Sequence, residues 1–167
     1  MPLLTNQAIK KELEEGNIKI TPQLSDDQIS VVSVDLTLAD DFWVYKDQST
    51  VIPIKEETNY LDYTDHIKTD KVEIKPQQTI IAITKEKITL PGNICGWLEG
   101  RSRFARLGLL IHISAGLIQP GVDNHQVLEI TNLSPNTLSL HAGERICQLA
   151  FQRCEGEAFY KGRFENQ

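Results

Sequence analysis

The sequence predicts an all-β domain, a barrel or sandwich of short strands entered through one short N-terminal helix. Three observations predict it. Beyond residue 17 the apolar residues recur with period two, the spacing that places alternate side chains on one face of a strand. Short apolar runs are broken by turn residues roughly every 8–12 residues, as in β-sandwiches and barrels. With 167 residues and no evident linker, the chain is expected to form a single domain, residues 1–167, large enough for its own core. The hydrophobic fraction of 40% lies well outside the disordered range.

Taken in order, the helix comes first. Thr5 can cap it, Ala8, Ile9 and Leu13 form its apolar stripe, and Gly16 suits the stop. Ile18 and Ile20 then alternate, as do Val32, Val34, Leu36 and Leu38. Further strand-like runs read DFWVY, TIIAIT, ITLPG, GLLIHIS, QVLEIT, LSLHAG and ICQLAFQ. Turn pairs at Pro91 with Gly92, Pro120 with Gly121, Pro135 with Asn136 and Ala142 with Gly143 separate several of them. Residues 45–70 are the least regular and are expected to be loops with at most one strand. No internal repeat or low-complexity tract is present.

Charge narrows the function classes. The formal net charge of -6 argues against a general binder of nucleic-acid polymers, which need a basic surface. No apolar run approaches the roughly 20 residues of a membrane span, and the opening MPLLTNQAIKKELEEG does not read as a signal peptide. A cytoplasmic protein with no membrane partner is expected. Cys95, Cys147 and Cys154 are odd in number and irregular in spacing, so they are read as reduced thiols. The arginines are the informative cations. All six, Arg101, Arg103, Arg106, Arg145, Arg153 and Arg163, follow residue 100. Arginine suits bidentate recognition of phosphate and carboxylate. A cluster at GRSRFARLG in an acidic chain therefore suggests a small anionic ligand, with surface ion pairs as the bland alternative.

The second polar feature in apolar surroundings is Glu129, in QVLEITN. On a strand it shares a face with Val127 and Thr131, while Leu128 and Ile130 take the other. Local pattern alone points the carboxylate to solvent.

The stretch GWLEGRSRFARLGLLIHISAGLIQPGVDNHQVLEITN resembles the central signature of the dCTP deaminase family, a trimeric branch of the dUTPase-like β fold. EGNIKITP, SVDLTLADDF and the closing RFENQ are similar to the family's flanking motifs, so the resemblance covers most of the chain. It implies a distorted β-barrel or jelly roll of the dUTPase-like type, with a C-terminal tail from about residue 155 reaching the active site. It also implies hydrolytic deamination of dCTP to dUTP and ammonia, within the supply of dTTP precursors. By that resemblance Glu129 shuttles protons, Ser102 and the Ala115 carbonyl hold the attacking water, and Arg106 orders the network. Arg101, Arg103, Gln119, Val127, Leu128, Tyr160, Arg163 and Gln167 are then expected to bind substrate. Magnesium would enter with the triphosphate. Zinc is not expected, because no histidine begins H-x-E and no C-x-x-C occurs. A homotrimer with sites between subunits is expected, and dTTP as a feedback regulator is a further implication, felt around His112 to Ala115.

The departures from the family pattern matter too. Gln119 stands where the family has aspartate in I-D-P-G; an amide can hydrogen-bond a hydroxyl but is no base. That counts against the alternatives of a dUTP diphosphatase or a bifunctional deaminase–diphosphatase, as does the lack of a glycine-rich closing motif. Arg103 replaces a second serine. Val122, Asp123 and Asn124 replace W-x-G, with Asn124 expected to take the positive φ of a rebuilt turn. These changes also sustain a third reading, a catalytically silent nucleotide-binding regulatory trimer. Bland readings are given to His112 (core or interface), Asp35 (structural), Trp43 and Trp97 (packing), and Glu144 and Arg145 (ion pairs).

Overall fold

The computed structural model describes residues 2–46 and 49–162. The helix α1 (Asn6–Glu14) begins after Thr5, whose side chain makes no capping bond, and buries Ile9. Gly16 follows at φ 71°, as a left-handed stop requires. The remaining elements are β1 (Lys19–Thr21), β2 (Ser33–Tyr45), β3 (Thr64–Lys68), β4 (Lys71–Ile74), β5 (Thr79–Thr89), β6 (Ile94–Gly100), the one-turn helix α2 (Ser102–Ala105), β7 (Leu109–Leu110), β8 (Leu117–Ile118), β9 (Asp123–Asn132), β10 (Leu138–His141) and β11 (Arg145–Arg153).

Pairing among the described strands is antiparallel and largely non-sequential. The main sheet runs β7-β9-β5-β2-β11-β6-β8, with β1 on β5 and β3 on β2, while β10 and β4 form a separate pair. The 13-residue β2 is the pivot. Its first half, from Ser33 to Thr37, pairs with β11. Its second half pairs with β5 and β3. An irregularity between Leu38 and Phe42 marks the change, as bulges do where a sheet curls. The sheet thus folds over itself around one apolar core, in which Leu36, Phe42, Ile94, Leu128 and Phe151 are fully buried and to which α1 contributes Ile9. The expected all-β class with a short N-terminal helix holds.

Several local expectations change. SVDLTL and DFWVY, separate as apolar runs, are one strand, and so are TIIAIT and the start of ITLPG. Val32 lies outside β2 and is exposed, so the buried alternation starts at Val34. GLLIHIS contributes only the two residues of β7. β7 pairs with β9 at Leu109 and Leu110. Beyond Ile111, which is buried, the chain leaves the sheet. Asn124 does not take a positive φ: it is extended in β9 opposite Ile88, and the left-handed residue of that turn is Gly121 at φ 80°. Residues 45–70 do carry one strand, β3.

Candidate active site

β9 shows why Glu129 can be both outward-pointing and sheltered. Leu128 and Ile130 are fully buried in the core, which turns Val127, Glu129 and Thr131 to the opposite face. That face is roofed by other parts of the chain. Ile81 of β5 lies opposite Glu129 in register, and Leu98 of β6, the segment from His112 to Gln119, and Tyr160 of the tail close the sides. The result is a cavity of about 480 Å³ lined by Glu129, Val127, Ala115, Gln119, Tyr160 and His112, with Tyr45 and Tyr60 at its edge. This volume suits a nucleotide-sized ligand. Among the described residues, no lysine or arginine lines it.

The closest polar contact in it was not anticipated from the sequence. His112 Nδ1 lies 2.6 Å from Glu129 Oε2, with the imidazole 11% exposed and the carboxylate 30%. It is a charge contact more than a directional hydrogen bond, since neither ring nitrogen has an aligned partner. Glu129 holds the His112 ring charged to a higher pH than an ordinary histidine, against the opposing effect of burial and with the Ala115 backbone adding to it. In the sequence His112 is one polar residue inside an apolar run, and only its period relative to Glu129, which is fixed by distant pairings, places the two together.

The arginine cluster lies elsewhere on the same chain. Ser102, Arg103 and Arg106 are exposed on and just after α2. With Arg101, Asp35, Ser30 and Gln148 they line a second depression of about 360 Å³. Within it Arg101 is committed: its guanidinium contacts Asp35 at 2.8 Å and donates to the Arg145 carbonyl at 2.7 Å. Burial lifts the Asp35 carboxyl above its usual range even though Arg101 pulls it down. Gln148 spans the Gly100 carbonyl and the Ser33 hydroxyl, fixing the end of β6 from which α2 departs.

Of the residues expected in the site, Glu129, Ala115, Gln119, Val127 and Tyr160 therefore share one cavity. Ser102, Arg103 and Arg106 do not join them within this chain. Arg101 is engaged by Asp35 instead of standing free for a phosphate. The Leu128 side chain points into the core, because alternation assigns it the buried face, and cannot touch a ligand in the cavity. Arg163 and Gln167 lie outside the described residues. Asp123 is bonded to Thr89 and Lys87 at the far end of β9; the Thr89 hydroxyl, then Lys87, hold its carboxyl below the usual range. Arg145 pairs with Asp27 at 2.7 Å. Trp43 packs against Tyr60 and His66, whereas Trp97 is half exposed and donates to Gln152. Among the described residues no three His, Cys, Asp or Glu side chains cluster as a metal site would, and no helix is long and apolar enough to cross a membrane.

A curled antiparallel sheet thus shelters one carboxylate beside an imidazole, with a separate arginine-lined surface. Comparison with known proteins gives the family. The model described as "dCTP deaminase-like" matches residues 3–154. A "dCTP deaminase" of Shewanella amazonensis is 39% identical over 166 residues, covering 92% of this chain and 84% of that protein. A "dCTP deaminase, dUMP-forming" of Methanobrevibacter smithii is 35% identical over 156 residues, covering 91% and 80%. The chain belongs to the dCTP deaminase-like family. Among solved structures, a 2'-deoxycytidine 5'-triphosphate deaminase from Agrobacterium tumefaciens shares the fold, with a TM-score of 0.72 at 19% identity over 92% of this chain. The present chain spans about half, 48%, of that protein.

Proposed function

We propose that the protein is a hydrolytic dCTP deaminase that releases dUTP and ammonia, and that Glu129 is its proton shuttle. The observation that carries this reading is the placement of Glu129, the one carboxylate among the described residues lining a nucleotide-sized cavity, which Ala115 and Gln119 also line. Water adds to C4 of the cytosine while Glu129 accepts its proton. The carboxyl then protonates ring N3, and a second transfer lets the amine leave as ammonia as the C4 carbonyl forms. Positioned acid–base catalysis of this kind contributes roughly 10²–10⁴-fold. The Ala115 carbonyl is one holder of the water. The cavity wall of Ile81, Leu98 and Val127 excludes bulk water and gives the pyrimidine an apolar face. In this reading the chemistry rests on these side chains, with magnesium arriving as the companion of the triphosphate.

The described residues lining the cavity include no lysine or arginine to face a triphosphate. The arginine depression of a second copy supplies what is missing: Ser102 to hold the water, Arg106 to stabilise developing charge, and Arg103 for phosphate. We therefore read the protein as a homotrimer with sites between subunits. Gln119 offers an amide where a second general base would be needed for pyrophosphate release, which favours dUTP over dUMP as the product.

The test is ammonia release from dCTP with magnesium, with pyrophosphate followed in parallel. Wild type should give ammonia and no pyrophosphate, and Glu129→Gln should still bind dCTP but release neither. A wild-type protein that is thermally stabilised by dCTP yet never turns it over would sink the enzymatic reading in favour of a regulatory binder.

A further inference from the structure

After β11 the chain runs back along Asn93, Gly92 and Pro120, and Tyr160 reaches the Glu129 cavity. Three backbone bonds fasten it: Cys154 N–H to the Asn93 carbonyl at 2.8 Å, Ala158 N–H to the Gly92 carbonyl at 2.8 Å, and Tyr160 N–H to the Pro120 carbonyl at 2.9 Å. Between the last two sits Phe159, which is 63% exposed and yet closely fitted. A Cβ on Gly92 would lie 2.7 Å from Phe159 Cζ, and one on Gly121 would lie 2.9 Å from Phe159 Cδ1. Gly121 needs to be glycine for its backbone, at φ 80°. Gly92 has no positive φ, so the approach of the aromatic ring is what its missing side chain serves.

From this geometry we infer that Phe159 is a positioning residue: its ring, seated on the bare faces of Gly92 and Gly121, straps this segment in place and sets where Tyr160 enters the cavity. With Phe159 held on the two glycines and the Tyr160 N–H bonded to the Pro120 carbonyl, Tyr160 is kept where it lines the cavity and packs against the core. The strap acts on substrate binding and not on the proton transfers, because Phe159 itself does not line the cavity that holds Glu129. The kinetic consequence rests on the dCTP reading; the docking itself does not.

The experiment compares Phe159→Ala, Phe159→Leu and Gly92→Ala in the full chain, with two readouts. One is the rate of tryptic cleavage after Lys161 without nucleotide, followed by mass. The other is kcat and KM for dCTP. In Phe159→Ala and Gly92→Ala, cleavage should accelerate about tenfold as the docked tail opens, and KM should rise about tenfold while kcat stays within about twofold. Phe159→Leu should recover most of both. Unchanged cleavage in Phe159→Ala overturns the strap. Faster cleavage with an unchanged KM overturns its role in positioning. Should wild type release no ammonia from any concentration of dCTP, the deaminase reading fails while the cleavage arm still decides the strap.

Discussion

Glu129 and His112 form the most consequential pair of residues in the molecule. Each is the polar exception in an apolar stretch, and together they hold opposite charges 2.6 Å apart at the edge of the core. The pair has a pH signature. His112 titrates above the ordinary histidine value, so its charged form is favoured by folding. The stabilisation is fully present below the unfolded value, about 6.5, and is lost as pH rises through the higher folded value. In urea unfolding, wild type should exceed His112→Gln in stability near about pH 6, with the gap closing toward about pH 9. A gap that is constant across that range would show that His112 is not charged in the pair. Arg101 gives the opposite lesson. Its sequence context suggested a phosphate ligand; in the fold its guanidinium lies 2.8 Å from the shielded Asp35 while still lining the arginine depression.

At the level of elements, the cavity exists because β6 and β9 are brought near one another without pairing. β9 is held by β5, and β6 by β11 and the short β8; Leu98 of β6 and Val127 and Glu129 of β9 line the pocket. Its floor depends on how tightly β6 and β11 close. Gly96 of β6 shows that closeness, since a Cβ there would lie 2.7 Å from Leu149 Cδ1 and 3.3 Å from Ile118 Cβ. Leu149 is fully buried and cannot yield. Gly96→Ala should therefore cost about 1–3 kcal/mol by overpacking, read as a lower urea midpoint at unchanged slope. Weakened dCTP affinity should accompany it, because Ile118 and Gln119 border the cavity. A variant as stable as wild type would mean that the two strands close less tightly than drawn here.

For the whole molecule, the carboxylate cavity and the arginine depression are separate surfaces of one chain. The proposed homotrimer would let one copy's depression complete another's cavity, which a closed rotational symmetry achieves for every subunit at once. Sedimentation should give a trimer. Glu129→Gln and Arg106→Ala should each be inactive alone. Co-refolded in equal amounts, they should recover about a quarter of wild-type ammonia release, the share of sites that draw an intact residue from each of two neighbours. Recovery of nothing would place both residues in the same subunit's site.

Much of this was legible along the chain, because strand alternation is a local property. The faces of Leu128 and Glu129, the stop at Gly16 and the apolar strands follow from residues two positions apart, and the arginine cluster is plain in GRSRFARLG. What could not be read was which distant residues meet. The 2.6 Å contact of His112 with Glu129, the capture of Arg101 by Asp35 and the seat of Phe159 on Gly92 each join segments far apart in sequence. Such contacts are set by the order in which β2, β5, β6, β9 and β11 pair, and side-chain period carries no information about that order.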